Sequence, residues 1–302
     1  MKMTKLLFLL IGLLLINCLP SSLHAKLRDL ETTRLKSTAG TGVGSILMEE
    51  SSVLNPAPVA FFKDSSIYFQ KASGNITQET SNNPHSAPMD IDSMAAILTE
   101  SGQTISGSIG YQYAEDRFDK RKRLMISSAG RAGDKSSIGV AARITQDSLS
   151  ENGQDIQNIK YNQMVLGATH VLGESVTMGI TFIDPLKKRP DETRGILGLQ
   201  YVYEDFVFII LDAGADYNKA LAETFLYRGA VQFKVFGDFF VRAGFFTDDG
   251  LNESGSGAGL SWVQPKLMFD FALKNTDVRE NIDKNIEAEK IKETSFSLSY
   301  RF

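Results

Sequence analysis

Residues able to do covalent chemistry are few in this chain. Past the first twenty-five residues there are two histidines, His85 in an expected loop and His170 near a turn. Neither has an evident serine or carboxylate partner, so neither a hydrolytic triad nor a metal site is indicated. The sequence therefore points away from an enzyme and calls for no cofactor and no metal. The run STAGTGVG (37–44) has the glycine density of a phosphate loop, but no strand precedes it. What remains is binding chemistry. Arg143, Asp212, Asp216, Arg228, Lys234, Arg242, Asp270 and Arg301 fall on the polar face of alternating segments, together with Val202, Leu226, Phe240, Phe246 and Met268. Apolar lining with a few polar anchors suits a small apolar ligand better than the uniformly polar lumen of a general porin.

The elements that position these residues are strands. From Ile105 onward, segments of roughly ten residues alternate with period two between turn signals. TISGSIGYQY sets Ile105, Ile109, Tyr111 and Tyr113 against Thr104, Ser106, Ser108 and Gln112. KLMFDFALK sets Leu267, Phe269, Phe271 and Leu273 against Lys266, Asp270 and Lys274, and the terminal SFSLSYRF closes on Phe302. Tight turns are expected at 101–103, 132–136, 172–175, 203–205, 235–238 and 263–265. Longer links are expected at 73–92, 114–121, 147–158, 184–193, 216–223, 247–253 and 276–292, and the charged run 277–293 reads as a solvated loop or a short surface helix. Stretches 93–99 and 159–171 alternate poorly. These connectors join about fourteen strands, short turns on one rim and long loops on the other. The expectation is all-β, an antiparallel transmembrane barrel with both ends in the periplasm. A soluble sandwich is the competing architecture.

The ends of the chain agree. MKMTKLLFLLIGLLLINCLPSSLHA has a charged start, an apolar run and small residues before Lys26, which reads as a secretory signal (1–25) cut after Ala25. Cys18, the single cysteine, falls inside it, so no disulfide is available to the exported chain. Without Lys2 and Lys5 the 32 basic residues become 30 against 36 acidic, a net charge of −6, which argues against nucleic acid as a partner.

Residues 26–63 do not read as strands. They carry Ala39-Gly40-Thr41-Gly42, an amphipathic stretch near Ile46–Leu54 with Glu49 and Glu50, then Asn55-Pro56-Ala57, then Phe61 and Phe62. An AGxG-like stretch, an acidic segment, NPA and an apolar pair ahead of the first strand resemble the outer-membrane hydrophobic-compound channels of the FadL/TodX type. The chain is shorter than typical members, and a second proline, Pro58, follows its NPA.

The resemblance implies a monomeric barrel (64–302) closed by an N-terminal hatch (26–63) that contains Asn55, Pro56 and Ala57. It implies a third-strand kink, for which Gly107 and Gly110 are the candidates here, and passive uptake of hydrophobic small molecules such as long-chain fatty acids. It places the chain in a Gram-negative outer membrane as a multi-pass protein. Its partners there would be membrane lipid, a hydrophobic ligand and the barrel-assembly machinery, which would read Phe302. The alternative role is a non-transporting scaffold or accessory of a surface or secretion complex. A lumen of fourteen strands is too wide for side chains alone to fill, so something must occupy it or leave an open pore.

Overall fold

The computed structural model describes residues 29–46, 50, 53–78, 88–102, 104–116, 119–151, 154–189, 192–281 and 288–302. The leader with Cys18, its cleavage site, His85 and most of the stretch near Ile46–Leu54 lie outside them. Fourteen strands form one closed antiparallel barrel in which each strand pairs with its sequence neighbours and β1 pairs with β14. They are β1 Ser66–Gln78, β2 Met89–Glu100, β3 Ile105–Glu115, β4 Asp119–Arg131, β5 Ser136–Glu151, β6 Gln154–Leu172, β7 Val176–Ile183, β8 Arg194–Tyr203, β9 Val207–Ala215, β10 Leu226–Phe236, β11 Phe239–Asp248, β12 Glu253–Val263, β13 Leu267–Val278 and β14 Glu289–Arg301.

Alternation sorts each strand inside out relative to a soluble protein. Phe69, Ile109, Leu211, Phe245, Leu260, Phe271 and Phe296 are exposed on the exterior, whereas Gln70, Arg123, Thr145, Gln163, Thr181, Gln232 and Asp270 are buried inside. An apolar exterior around a closed ladder, whose strands satisfy their backbone groups in one another, is the arrangement of a membrane-spanning barrel. No helix among the described residues is long and apolar enough to cross a membrane. Near the short-turn rim, exterior rings follow one another from Phe236 to Phe239 (5.0 Å between centroids), Trp262 (6.2 Å) and Phe269 (5.6 Å). They form part of an aromatic girdle. At the seam, Phe302 and Ser65 exchange two backbone hydrogen bonds of 3.0 Å, and Phe302 stacks on Tyr300.

Several connectors differ from the sequence reading. Residues 114–121 and 147–158 are largely strand: β3 and β4 are paired from Glu115 and Lys120 downward, and β5 and β6 stay paired out to Glu151 and Gln154, with a register shift at Leu149/Ser150. Both faces are polar there, and backbone pairing continues without apolar alternation. The 277–293 run is strand at 277–278 and 289–293; 282–287 lie outside the described residues.

The N-terminal segment is folded against the inner wall. Thr32 caps the short helix Thr33–Ser37 by accepting from the Leu35 amide (3.2 Å), and Pro56 leads into a 3-10 turn, Ala57–Phe61. Leu30, Leu35, Val43, Val53 and Leu54 form one apolar cluster with inward Tyr68, Ile97, Met125, Val165 and Ile196. This cluster explains the poor alternation of 93–99 and 159–171. Ile97 and Val165 point inward yet are apolar, because they face chain rather than water.

Candidate functional site

The inner wall meets the segment through paired glycines. Gly139 of β5 is the register partner of Gly167 of β6, Gly179 of β7 of Gly198 of β8, and Gly244 of β11 of Gly257 of β12. Each pair receives one piece of the segment. A methyl group at Gly139 would stand 2.6 Å from the Pro56 carbonyl carbon, and one at Gly167 would overlap Asn55 and Pro56. Methyl groups at Gly179 and Gly198 would overlap Val43 and Gly44; those at Gly244 and Gly257 would overlap Thr38 and Lys36. Glycine is required here for close approach of two backbones rather than for a special φ.

Polar side chains then fix the segment in place. Asp212 accepts from the Gly42 amide (2.8 Å) and the Val43 amide (3.2 Å), and Arg228, its register partner, donates to the Gly40 carbonyl (2.8 Å). Gly40 has φ +80°, a left-handed turn after the helix that presents this carbonyl. Asn55 donates to the Val43 carbonyl (2.9 Å) and to the Thr169 hydroxyl (3.2 Å), and its own carbonyl oxygen accepts from the Ala57 amide (3.1 Å). Asn-Pro-Ala is thus a turn whose side chain ties two parts of the segment to β6.

Three charged groups meet the segment, two of them at the helix. Lys274 donates to Glu31 (2.5 Å), and Lys36 pairs with Glu293. Arg242 bonds Gln232 (2.6 Å), Asp270 (2.9 Å) and Ser261 inside the wall, where Arg34 reaches Gln232 (3.4 Å). The largest group joins β4, β5, β6 and the 184–193 connection. Arg121 forks onto Asp147 (2.7 and 2.8 Å), Tyr161 donates to Glu192 (3.1 Å), and Arg123 donates to Asp29 (2.5 Å). Arg143 donates to the Val53 carbonyl. Burial works against the Asp29 carboxylate, but Arg123, Arg143 and Arg121 hold it well below the usual carboxylate range. Glu31 is likewise held low by Lys274 and Lys36 against the effect of burial.

The residues singled out from sequence therefore separate by position. Arg143, Asp212, Arg242, Phe246 and Asp270 are buried and inward, and Arg228 is inward and half-buried. Phe246 carries the Lys274 ammonium 4.8 Å from its ring centre. Phe240 is inward at the short-turn end, edge-on to Phe208 at 6.4 Å. Gly107 lies on the exterior face of β3 and Gly110 on the interior face. β3 pairs with β4 from Ile105 to Glu115 and with β2 from Gly107 to Glu115, without a register shift on either side. Sequence reasoning missed the paired glycines and the Arg121, Arg123, Tyr161 and Glu192 group. Arg121 and Arg123 fall in or beside a stretch read as loop; the glycines interrupt apolar alternation without adding any signal of their own.

No family model matches this sequence, and no curated protein matches it. Solved structures do match in fold. The CymD monoaromatic hydrocarbon channel superposes with a TM-score of 0.68 at 14% identity, over 89% of this chain and 96% of that one. The Ralstonia pickettii toluene transporter TbuX gives 0.67 at 11%, over 90% and 98%. A Pseudomonas aeruginosa FadL homologue gives 0.63 at 11%, over 89% and 98%. The chain has the barrel fold of FadL/TodX-type channels.

Proposed function

We propose that this protein is an outer-membrane channel for passive entry of hydrophobic small molecules, closed by residues 26–63 as a hatch. The observation that carries the reading is the fit of wall to segment. Three pairs of glycines leave room for it, and Asp212, Arg228 and Thr169 hydrogen-bond to it. A wall shaped around a separate piece of chain is a device for closing a lumen that would otherwise conduct. The fold shared with hydrocarbon and toluene channels supports hydrophobic cargo, and long-chain fatty acids are one candidate. On this reading residues 1–25 are the export signal, and Phe302 is the strand end that assembly machinery would recognise.

The test compares the intact chain with a deletion of residues 26–60 in planar bilayers. The intact protein should conduct poorly and the deletion should conduct as an open pore, since the strands pair with one another and not with the segment. Equal porin-like conductance of both would overturn the hatch. Proteoliposomes should then take up a radiolabelled aromatic hydrocarbon faster with protein than without. A closed barrel that passes none would favour the scaffold role.

A further inference from the structure

Outward lysines are spread unevenly around the barrel. On the described strands they are Lys71 of β1, Lys120 and Lys122 of β4, Lys160 of β6, and Lys290 and Lys292 of β14. Strands β7 to β13 carry none, since Lys234 and Lys274 point inward. On β1 and β14 carboxylates stand beside the charge. Lys71 lies 3.9 Å from Asp92, and Lys290 is the register partner of Asp277. On β4 and β6 the balance differs. No outward carboxylate occurs on β4 from Lys120 to Gly130, on β5 from Ile138 to Ser148, or on β6 from Asn158 to Leu172. Glu115 of β3 is the register partner of Lys120 but accepts from Tyr113 (2.6 Å). Among the described residues Lys120, Lys122 and Lys160 have no ion-pair partner.

These lysines sit where the apolar exterior ends. Lys122, Gln146 and Lys160 form one register row across β4, β5 and β6, and Lys120, Ser148 and Asn158 form the next row toward the long loops. Asn158 accepts from Gln146 (3.1 Å) and from Ser148, so the middle of the patch is tied together while lysines flank it. The Lys122 and Lys160 backbones, two strands apart, stand about 10 Å from each other. Toward the short turns the same face turns apolar, with Leu124 and Ile144 in the adjacent row and Ile126, Ala142 and Met164 in the one after. A lysine stem can lie on such a surface while its ammonium stays at the polar edge. The cost of charge on the lipid face also falls toward the interface.

Acyl chains suit the apolar rows, and phosphates suit the cations above them. We propose that the outer face of β4, β5 and β6 binds a phosphorylated lipid of the outer leaflet, a lipopolysaccharide, through Lys120, Lys122 and Lys160. Its phosphates flank the tied Gln146 and Asn158, and its acyl chains run along Leu124, Ile144 and Met164. A soluble protein partner would meet the lysines alone, because hydrocarbon already covers the apolar rows. The site rests on the outer-membrane reading but not on cargo or hatch, since none of these side chains faces the lumen.

Native mass spectrometry tests the site on the detergent-solubilised full chain, titrated with diphosphoryl lipid A, with its dephosphorylated form and with inorganic phosphate. Diphosphoryl lipid A should bind most tightly. Lys122→Gln and Lys160→Gln should each weaken it about fivefold, the factor one lysine contributes at an anionic lipid surface. Lys266→Gln, exposed at the opposite rim, should leave it unchanged, and dephosphorylated lipid should bind every form alike. Equal affinity of diphosphoryl lipid A for wild type and the Lys122→Gln, Lys160→Gln double variant would overturn the site and leave the membrane reading intact. Inorganic phosphate bound as tightly as the lipid, with the same lysine dependence, would overturn the lipid as occupant. A dimer that the double variant abolishes would assign the face to a second copy instead. Failure of the barrel to insert into phospholipid vesicles would remove the outer-membrane reading, and the site with it.

Discussion

Gly198 of β8 lies directly across the ladder from Asp212 of β9, and the two act on the same piece of chain in complementary ways. Gly198 lets Gly44 approach the wall, and Asp212 accepts the Gly42 and Val43 amides that this approach presents. Space and hydrogen bond are supplied by neighbouring strands in one row, which continues to Arg228 on β10.

That division of labour is separable by mutation. Gly179→Val or Gly198→Val should push Val43 and Gly44 off the wall, at an overpacking cost of about 1–3 kcal/mol borne by the segment. Bilayer conductance should rise toward that of the 26–60 deletion while the folded, heat-modifiable barrel persists. Gly133→Val is the control: nothing lies within 4 Å of a methyl group there, although its φ of +91° makes the turn costly to substitute, so only stability should move.

Asp212→Ala removes the acceptor and leaves two buried amides without it, a loss of about 1–3 kcal/mol. Opening events in single-channel records should become about tenfold more frequent, and Asp212→Asn, which keeps an acceptor oxygen, should lie between Ala and wild type.

Acid should release the segment. Asp29 and Glu31 have carboxyl groups held below their ordinary values in the folded protein. A lowered folded value stabilises docking above the unfolded value of about 4, and that stabilisation is lost as pH falls through the folded value. Conductance should be flat from pH 8 to about 5 and climb below about 4. Asp29→Asn and Glu31→Gln together should flatten the acid limb.

The exterior offers a depth test on a single strand. Phe271→Arg should destabilise the barrel by about 2–4 kcal/mol if that ring faces mid-bilayer, and Asn275→Arg, four residues nearer the long-loop rim on the same face, by about 0–1 kcal/mol. Urea unfolding in lipid vesicles measures both.

How much of this is legible in the chain follows from what alternation reports. Period two separates an apolar face from a polar one, so Phe271 against Asp270, and a count of about fourteen strands, can be read directly. It is silent where both faces are polar, which is why Arg121 and Asp147 read as parts of loops although they fork together on paired strands. It also misleads where the interior is dry, as at Ile97 and Val165. The Asn55-Pro56-Ala57 turn was visible because its chemistry is local. The glycine pairs were not, because a pair exists only once register is known, and register depends on the turn between the two strands.

Closure of the ring sets the order in which the protein can form. Thirteen of the ladders join strands adjacent in sequence, but Ser66 finds its partner at Arg301 and Ile67 at Tyr300. Hairpins can assemble early and locally, whereas this last ladder spans nearly the whole polypeptide and carries the greatest loop-closure entropy. Until it forms, both edges are raw templates for pairing with other chains. The seam held by Ser65 and Phe302 is therefore the kinetic bottleneck, and any synthesis that stops short of β14 yields an open ribbon that cannot lie stably in a bilayer.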